Sequence, residues 1–299
     1  MRRALVLALA AALTLAGCAA PAADDRPLVV VTTNILGDVV SELVGDEAEV
    51  LTLMPPNADP HSFEISAQEA ARIEDAVLTV ANGLGLEEGL AQHIERGPVV
   101  EAGAFIDPID YADGGDGGVD PHLWTDPQRM REVAAGIAAE LQAVLPASAA
   151  VIAANAAAYD AELAELDTEL AATFAVIPEQ RRALVTNHHV FGYLADRYGF
   201  EVVGAIVPGG STLAAPSAAD LDELATAIRS AGVPAIFADS SQPDRLAQAL
   251  AEEAGVDVAV VALFTESLSE PGSGADTYLR MMRANAGRIT AALAGPTDR

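Results

Sequence analysis

The sequence predicts an α/β protein with two lobes, each containing a mostly parallel sheet flanked by helices, joined by one long rigid connector helix. Short apolar runs alternate with helical patterns over residues 28–126, and the same alternation resumes over residues 180–299. Between them, residues 127–179 are helical in pattern almost throughout, with Pro146 as the interruption. Short buried strands that alternate with helices of about 10–15 residues are typical of βαβ units and parallel sheets.

In the first lobe, four runs rich in β-branched or apolar residues predict strands. They are Leu28–Thr33, Glu49–Met54, Ala76–Ala81 and Pro98–Val100. The alternation ends near Phe105, where residues 107–120 are rich in Gly and Asp and predict a solvated loop that attracts cations only loosely.

The connector and the second lobe follow. Residues 147–176 contain no Gly or Pro and predict a single helix about 45 Å long. Its apolar residues recur at three- and four-residue spacing, at Val151, Ile152, Ala158, Tyr159, Leu163, Leu166, Leu170 and Phe174. A strict heptad is not sustained, which disfavours a coiled coil. The predicted strands of the second lobe are Ala183–Thr186, Glu201–Ile206, Ala235–Ala238 and Val256–Leu263.

The first residues predict export. Two arginines precede an apolar run from Ala4 to Ala16, which is typical of a secretory signal and too short to span a bilayer. The run ends in Leu-Ala-Gly-Cys at residues 15–18, which resembles the lipobox of bacterial lipoproteins. That resemblance implies removal of residues 1–17, lipidation of Cys18 and a tether over residues 18–27. The alternative is an ordinary signal peptide with a buried cysteine.

Composition excludes several classes of function. The 299 residues include 44 Asp and Glu but only 16 basic residues, all of them Arg, for a net charge of −28. This acidic balance argues against nucleic-acid binding, which needs clustered Lys and Arg, and without Lys the chain has no Schiff-base or P-loop lysine. A single cysteine excludes an intrachain disulfide and a thiolate zinc cage. A histidine-based site must draw on five residues.

Chemically useful side chains follow the carboxyl ends of predicted strands. His61 follows the second strand, His188 the fifth and Glu266 the eighth, and His122 lies where the acidic loop meets the connector. Because ligands of open α/β sheets bind beyond the carboxyl ends of strands, these residues are expected to converge on one cleft between the lobes. Three imidazoles and one carboxylate make a tetrahedral shell of the kind that Zn²⁺ accepts.

The local sequences around these residues resemble the metal-binding substrate-binding proteins of bacterial ABC transporters. This family, cluster A-I, includes ZnuA-type zinc proteins and manganese-binding lipoproteins. The segments that carry the resemblance are Asp59–Glu64, Asn82–Glu87, Asp120–Pro127, His188–Gly199 and Leu263–Leu268. The resemblance covers essentially the whole mature chain and implies the metal ligands His61, His122, His188 and Glu266.

The sequence departs from the family in three places. Many members have Asp where this chain has Glu266, which leaves monodentate and bidentate binding open and Asp239 as a competitor for the fourth position. The loop over residues 107–120 contains no histidine, whereas typical zinc members have a His-rich loop there. His189 occupies a position that is often Asp, and we expect it to lie outside the metal ligands. His93, in a polar helical stretch, is expected to be solvated.

The resemblance implies an extracytoplasmic lipoprotein that captures Zn²⁺ between its lobes and delivers it to an ABC permease with a separate ATPase subunit. Further expected partners are the membrane, through the lipid anchor, and a metallochaperone. A monomer without nucleic acid or catalytic residues is expected. The alternatives are a Mn²⁺ receptor, a secreted zinc metallo-hydrolase in which Glu266 is a general base, and an adhesin.

Overall fold

The structure is a computed structural model that describes residues 26–111, 118–207, 212–255 and 258–295. The predicted signal peptide, Cys18 and most of the tether lie outside the described residues, as do Asp113 and Asp116 of the acidic loop.

The first lobe contains a parallel four-stranded sheet in the order β2-β1-β3-β4. Its strands are β1 (Leu28–Val31), β2 (Glu49–Thr52), β3 (Leu78–Ala81) and β4 (Val99–Glu101), and its helices are α1 (Asn34–Val44), α2 (Ala67–Asp75) and α3 (Ala91–Ile94). Every residue of β1 and of β3 is buried, as expected for central strands covered on both faces.

Two helices lie between the lobes in the sequence, α4 (Pro127–Val144) and α5 (Ala149–Phe174), and a short turn connects them. Pro127 is the first residue of α4, where its missing N–H costs nothing, and the Asp126 side chain accepts a hydrogen bond from the Gln128 N–H. The predicted break at Pro146 is confirmed. With 26 residues, α5 is about 39 Å long and shorter than the sequence indicated.

The second lobe repeats the arrangement, with parallel strands in the order β6-β5-β7-β8. Its strands are β5 (Ala183–Thr186), β6 (Glu201–Ala205), β7 (Ala235–Asp239) and β8 (Ala259–Leu263), and its helices are α6 (Gly192–Tyr198), α7 (Ala218–Ala231), α8 (Arg245–Ala254) and α9 (Tyr278–Leu293). Short 3₁₀ turns lie at Gly45–Glu47, Glu88–Leu90, Ala102–Phe105, Leu123–Thr125 and Glu179–Arg181. The predicted fold class is confirmed.

One continuous hydrophobic core runs through both lobes and the connector. It includes Val29 of the first sheet, Leu163 of α5, Phe237 of the second sheet and Tyr278 of α9. Each of these side chains is fully buried, with 0% exposure. The buried stripe of α5 consists of Ile152, Tyr159, Leu163, Leu166, Leu170 and Phe174. Val151 and Ala158, which share the apolar spacing in the sequence, are exposed. The shared core holds the two sheets in a fixed relation through α5.

Across the four described ranges, none of the helices combines the length and the apolar character that crossing a bilayer requires.

Asp38 of α1 lies against the first turn of α9 and so links the two lobes. Its Oδ2 accepts a hydrogen bond from the Tyr278 N–H at 2.8 Å, where an anion also interacts favourably with the helix dipole. Burial is the main reason that the pKa of Asp38 is raised to about 6. The carboxylates of Glu42 and Asp276 raise this pKa as well, whereas the Tyr278 N–H and Arg280 oppose the shift.

We expect Asp38 to make stability depend on pH. A carboxyl group whose pKa is higher in the folded than in the unfolded chain stabilises the fold while protonated, so this stabilisation is lost as the pH rises from about 4 through about 6. Between about pH 4 and pH 7, wild-type protein should lose up to about 3 kcal/mol of unfolding free energy relative to Asp38→Asn. Urea unfolding of both metal-free proteins measures the difference. The control Asp222→Asn, at an exposed site, should show the same pH dependence as wild type. If the difference in unfolding free energy between wild type and Asp38→Asn did not change with pH, the assignment would be contradicted.

Candidate metal site

Four polar side chains from distant parts of the chain meet between the two sheets. His61, His122, His188 and Glu266 are all buried, and one nitrogen or carboxylate oxygen from each lies within 4.8 Å of the others. The structure therefore brings together the four residues that the sequence singled out.

The position of His61 follows from the turn after β2. Leu53 and Met54 still donate backbone hydrogen bonds to the β1 segment, after which the chain leaves the sheet. Asp59 then fixes the turn, because its Oδ1 accepts from the His61 N–H at 2.9 Å and its Oδ2 accepts from Ser62 Oγ at 3.1 Å. The His61 ring is thereby directed at Glu266, with 3.3 Å between Nε2 and Oε2.

A carboxylate fixes the tautomer of His122. Asp120 Oδ1 accepts from both the backbone N–H of His122, at 2.9 Å, and the ring Nδ1, at 2.7 Å. Because Nδ1 carries the proton in this pair, Nε2 offers its lone pair, 3.4 Å from Glu266 Oε1. A side chain at Gly192 would collide with the Asp120 carboxylate, so the close approach of α6 requires glycine there.

His188 stands two residues beyond the end of β5. The Thr186 hydroxyl donates to the His188 carbonyl at 2.6 Å and closes the turn. Ring Nε2 of His188 lies 3.0 Å from Glu266 Oε1.

The first lobe holds the segment that carries Glu266. Trp124 Nε1 donates to the Thr265 carbonyl at 2.8 Å. On the other side of Glu266, Asn34 Nδ2 donates to Ser267 Oγ at 2.7 Å and Asn34 Oδ1 accepts from the Leu268 N–H at 2.9 Å. Glu266 thus belongs to the second lobe in sequence and is fixed by hydrogen bonds from the first.

Opposed charges decide the protonation of the cluster. Burial would raise the pKa of Glu266, but the rings of His188, His122 and His61 outweigh burial and hold this pKa well below its usual value. Burial would likewise lower the pKa of His61, but the Glu266 carboxylate outweighs it and raises this pKa. Glu266 is therefore an anion among three imidazoles.

Several atoms of the cluster are buried without a hydrogen-bond partner among the described residues. They are Nε2 of His61, Nε2 of His122, Nδ1 of His188 and Oε2 of Glu266. Buried polar atoms are nearly always paired in folded proteins, so the unpaired Nε2 atoms of His61 and His122, which face the Glu266 carboxylate, are suited to a cation. Three imidazole nitrogens and one carboxylate form the donor set of a tetrahedral Zn²⁺ shell.

Asp239 and the other two histidines lie outside this cluster. Asp239 is buried at the end of β7, and its oxygens accept from the Ser241 N–H, from Ser241 Oγ and from Thr265 Oγ1. His189 is half-buried with its ring 6.2 Å from that of Tyr111. His93, which the sequence predicted to be solvated, is partly buried on α3 because its Nδ1 faces inward.

The sequence assigned no role to the residues that support the ligand segments, although Asn82 and Glu87 belong to a segment that carries the family resemblance. Asn82 Nδ2 donates to the Pro121 carbonyl at 2.9 Å, one residue before His122. Buried Glu87 in turn accepts from the Asn82 N–H at 2.7 Å and from Thr32 Oγ1 at 2.6 Å. Asn34 and Asn82 each lie just beyond the carboxyl end of a strand, so the rule that located the histidines could have included them.

A family model supports a relationship along nearly the whole chain. The model for ZnuA, described as zinc-uptake complex component A, periplasmic, matches residues 29–292.

Two relatives match over similar lengths. The zinc-binding protein TroA of Treponema pallidum is 32% identical over 281 residues, which cover 91% of this chain and 91% of TroA. The manganese-binding lipoprotein MntA of Halalkalibacterium halodurans is 29% identical over 284 residues, which cover 92% of each chain. The solved structure of the periplasmic zinc-binding protein TroA has a TM-score of 0.83 to this structure at 30% identity, covering 90% of this chain and 99% of that one.

We expect Glu266→Gln to lower the pKa of His61 in the metal-free protein. The Glu266 carboxylate is what raises this pKa against the effect of burial, and the neutral amide removes its charge. An NMR titration of the ring signals measures the shift. The exposed-site control Asp75→Asn should leave the His61 titration as in wild type. An unchanged titration in Glu266→Gln would show that Glu266 does not set the charge of this site.

Proposed function

The chain belongs to the ZnuA family of periplasmic zinc-uptake components, and from this premise we propose that it is the extracytoplasmic metal-binding receptor of an ABC importer. In this proposal it captures Zn²⁺ in the cleft between its lobes and delivers the ion to the permease. Residues 28–126 and 180–299 act as the two lobes, and residues 127–179 act as the connector.

The observation that carries the proposal is the buried convergence of three imidazoles and one carboxylate with unpaired lone pairs. We assign His61, His122, His188 and Glu266 as the ligands of the transported ion. Each lobe contributes to the set, so a bound ion would hold the lobes together.

The donor set favours Zn²⁺ over Mn²⁺ as the cargo. Relatives of this chain include proteins named for zinc and for manganese, so family membership does not separate the two metals. Three nitrogen donors suit a borderline-soft ion, whereas Mn²⁺ prefers a larger share of oxygen donors. A bidentate Glu266 would add one oxygen, and Mn²⁺ therefore remains the alternative cargo.

The same donor set disfavours catalysis. A catalytic zinc site keeps one position open for water, whereas four protein ligands complete the tetrahedral shell. Glu266 lies between the three rings at 3.0–3.4 Å, which supports a ligand role for its carboxylate over that of a general base acting on a more distant water. No observation favours an adhesin.

Location and partners follow from the same premise. Several relatives are named as lipoproteins, which supports lipidation of Cys18 and attachment to the outer face of the cell membrane. An ABC permease with its ATPase subunit would receive the ion, and a metallochaperone would be a source of it.

Metal analysis of the mature protein as purified, followed by competitive titration of the metal-free form, tests the proposed function. We expect one zinc ion per chain, which Mn²⁺ does not displace. Absence of bound metal would refute the receptor, and preferential retention of Mn²⁺ in competition with Zn²⁺ would refute the choice of cargo.

Two substitutions test the ligand assignment. Asp120→Asn replaces the carboxylate that orients His122 and should lower Zn²⁺ affinity by about 10- to 100-fold. His122→Ala removes the ligand itself and should lower affinity further. Asp110→Asn, an exposed carboxylate near the same segment, should match wild type in the same competition with a chelator. Wild-type affinity in His122→Ala would refute the assignment of His122.

A further inference from the structure

The turn that carries His61 is tied to the second lobe by side-chain hydrogen bonds to one carboxylate and by the Asn57 N–H, which donates to the Leu268 carbonyl at 3.0 Å. Asp59 Oδ2 accepts from Thr212 Oγ1 at 2.6 Å and from Gln242 Nε2 at 3.1 Å, and both donors belong to the second lobe. The same carboxylate accepts from the His61 N–H and from Ser62 Oγ within its own turn. Asp59 is 9% exposed, so these hydrogen bonds are largely screened from water.

The partner of Asp59 also reaches the segment that carries Glu266. Gln242 belongs to the turn after β7, where its N–H donates to the Asp239 carbonyl at 3.3 Å. The Asp239 side chain accepts from Thr265 Oγ1, one residue before Glu266. The turn over residues 239–242 therefore contacts Asp59, two residues before His61, and Thr265, one residue before Glu266.

We propose that Asp59 is a positioning residue that locks the His61 turn to the second lobe and sets how fast the metal ion is released. This inference rests on the proposed function, because it assumes that His61 and Glu266 hold the ion. For His61 to withdraw from the ion with its turn, the hydrogen bonds from Thr212 and Gln242 to Asp59 must break. Hydrogen bonds to an ionised group are stronger than neutral ones, which makes this step costly.

The surroundings of the two donors allow them to move. Thr212 and Gln242 line a cavity of about 300 Å³ on the second lobe, together with Asp239. Both side chains are half-buried and border space into which they can turn once they leave Asp59. By contrast, Asn34 and Trp124 hold the Glu266 segment through neutral hydrogen bonds in the packed interior. The Asp59 contact is therefore the charged link that borders free volume.

A double variant isolates this link. Thr212→Val with Gln242→Met keeps the size of both side chains but removes the two donors, and it leaves the bonds from Asp59 to His61 and Ser62 in place. Thr168→Val with Gln248→Met is the matched control. The Thr168 hydroxyl and the Gln248 amide make hydrogen bonds that stay within one helix or one lobe.

The measurement is the rate of Zn²⁺ release from loaded mature protein, chased with excess chelator in a stopped-flow instrument, together with the association rate. We expect release to be faster by about tenfold or more in the double variant, with an association rate within about twofold of wild type. The matched control should release Zn²⁺ as wild type does. Wild-type release from the double variant would overturn the proposal.

A third variant distinguishes a lock from a general loss of stability. Asp59→Asn keeps an oxygen for the His61 N–H but loses the charge and one acceptor, and it should accelerate release as the double variant does. Added to the double variant, it should change the release rate little further, because both act on the same contact. Fully additive acceleration would overturn the lock. Absence of Zn²⁺ binding by wild-type protein would instead refute the proposed function.

Discussion

The structure depends on one buried anion, the carboxylate of Glu266, which faces three imidazoles. Removing a carboxylate from water costs several kcal/mol unless nearby groups compensate, and here the rings of His61, His122 and His188 lower its pKa despite complete burial. The four groups come from both lobes, so the lobes must be held close enough for their atoms to meet within 4.8 Å. The remaining architecture satisfies this requirement.

The fold meets that requirement through parallel sheets and a shared core. In a parallel sheet all strands end at the same edge, so the turns after β2, β5 and β8 can each present a side chain to one cleft. The core that runs from the first sheet through α5 to the second sheet keeps the two edges in a fixed relation. Final alignment then comes from polar contacts between lobes, such as Asn34 with the Leu268 N–H and Trp124 with the Thr265 carbonyl.

The sequence could predict whatever depends on local pattern. Fully apolar β-branched runs such as Leu28–Val31 identified the strands, and the strand-end rule together with the local motifs identified the four residues of the cluster. It could not predict contacts that exist only after the lobes have packed. Asp59 is separated from Gln242 by 183 residues, and no periodicity relates them. The inward-facing nitrogen of His93 depends equally on tertiary packing, which overrode the polar character of its short helix.

For a transport receptor, tight binding creates a second requirement. First-row divalent ions bind a site rich in imidazole in an order set mainly by the metal, with Zn²⁺ well above Mn²⁺, so a strong zinc site forms readily once four donors converge. Delivery then depends on how the site opens. A shell divided between two lobes can be opened by separating a single turn from its partner, without unfolding the core. The His61 turn is suited to this step because it lies outside the sheet and is held across the cleft by hydrogen bonds to the Asp59 carboxylate. The ligands therefore set which ion binds, and the contacts of Asp59 set how long the ion stays, so a change at Asp59 alters the affinity through the release rate.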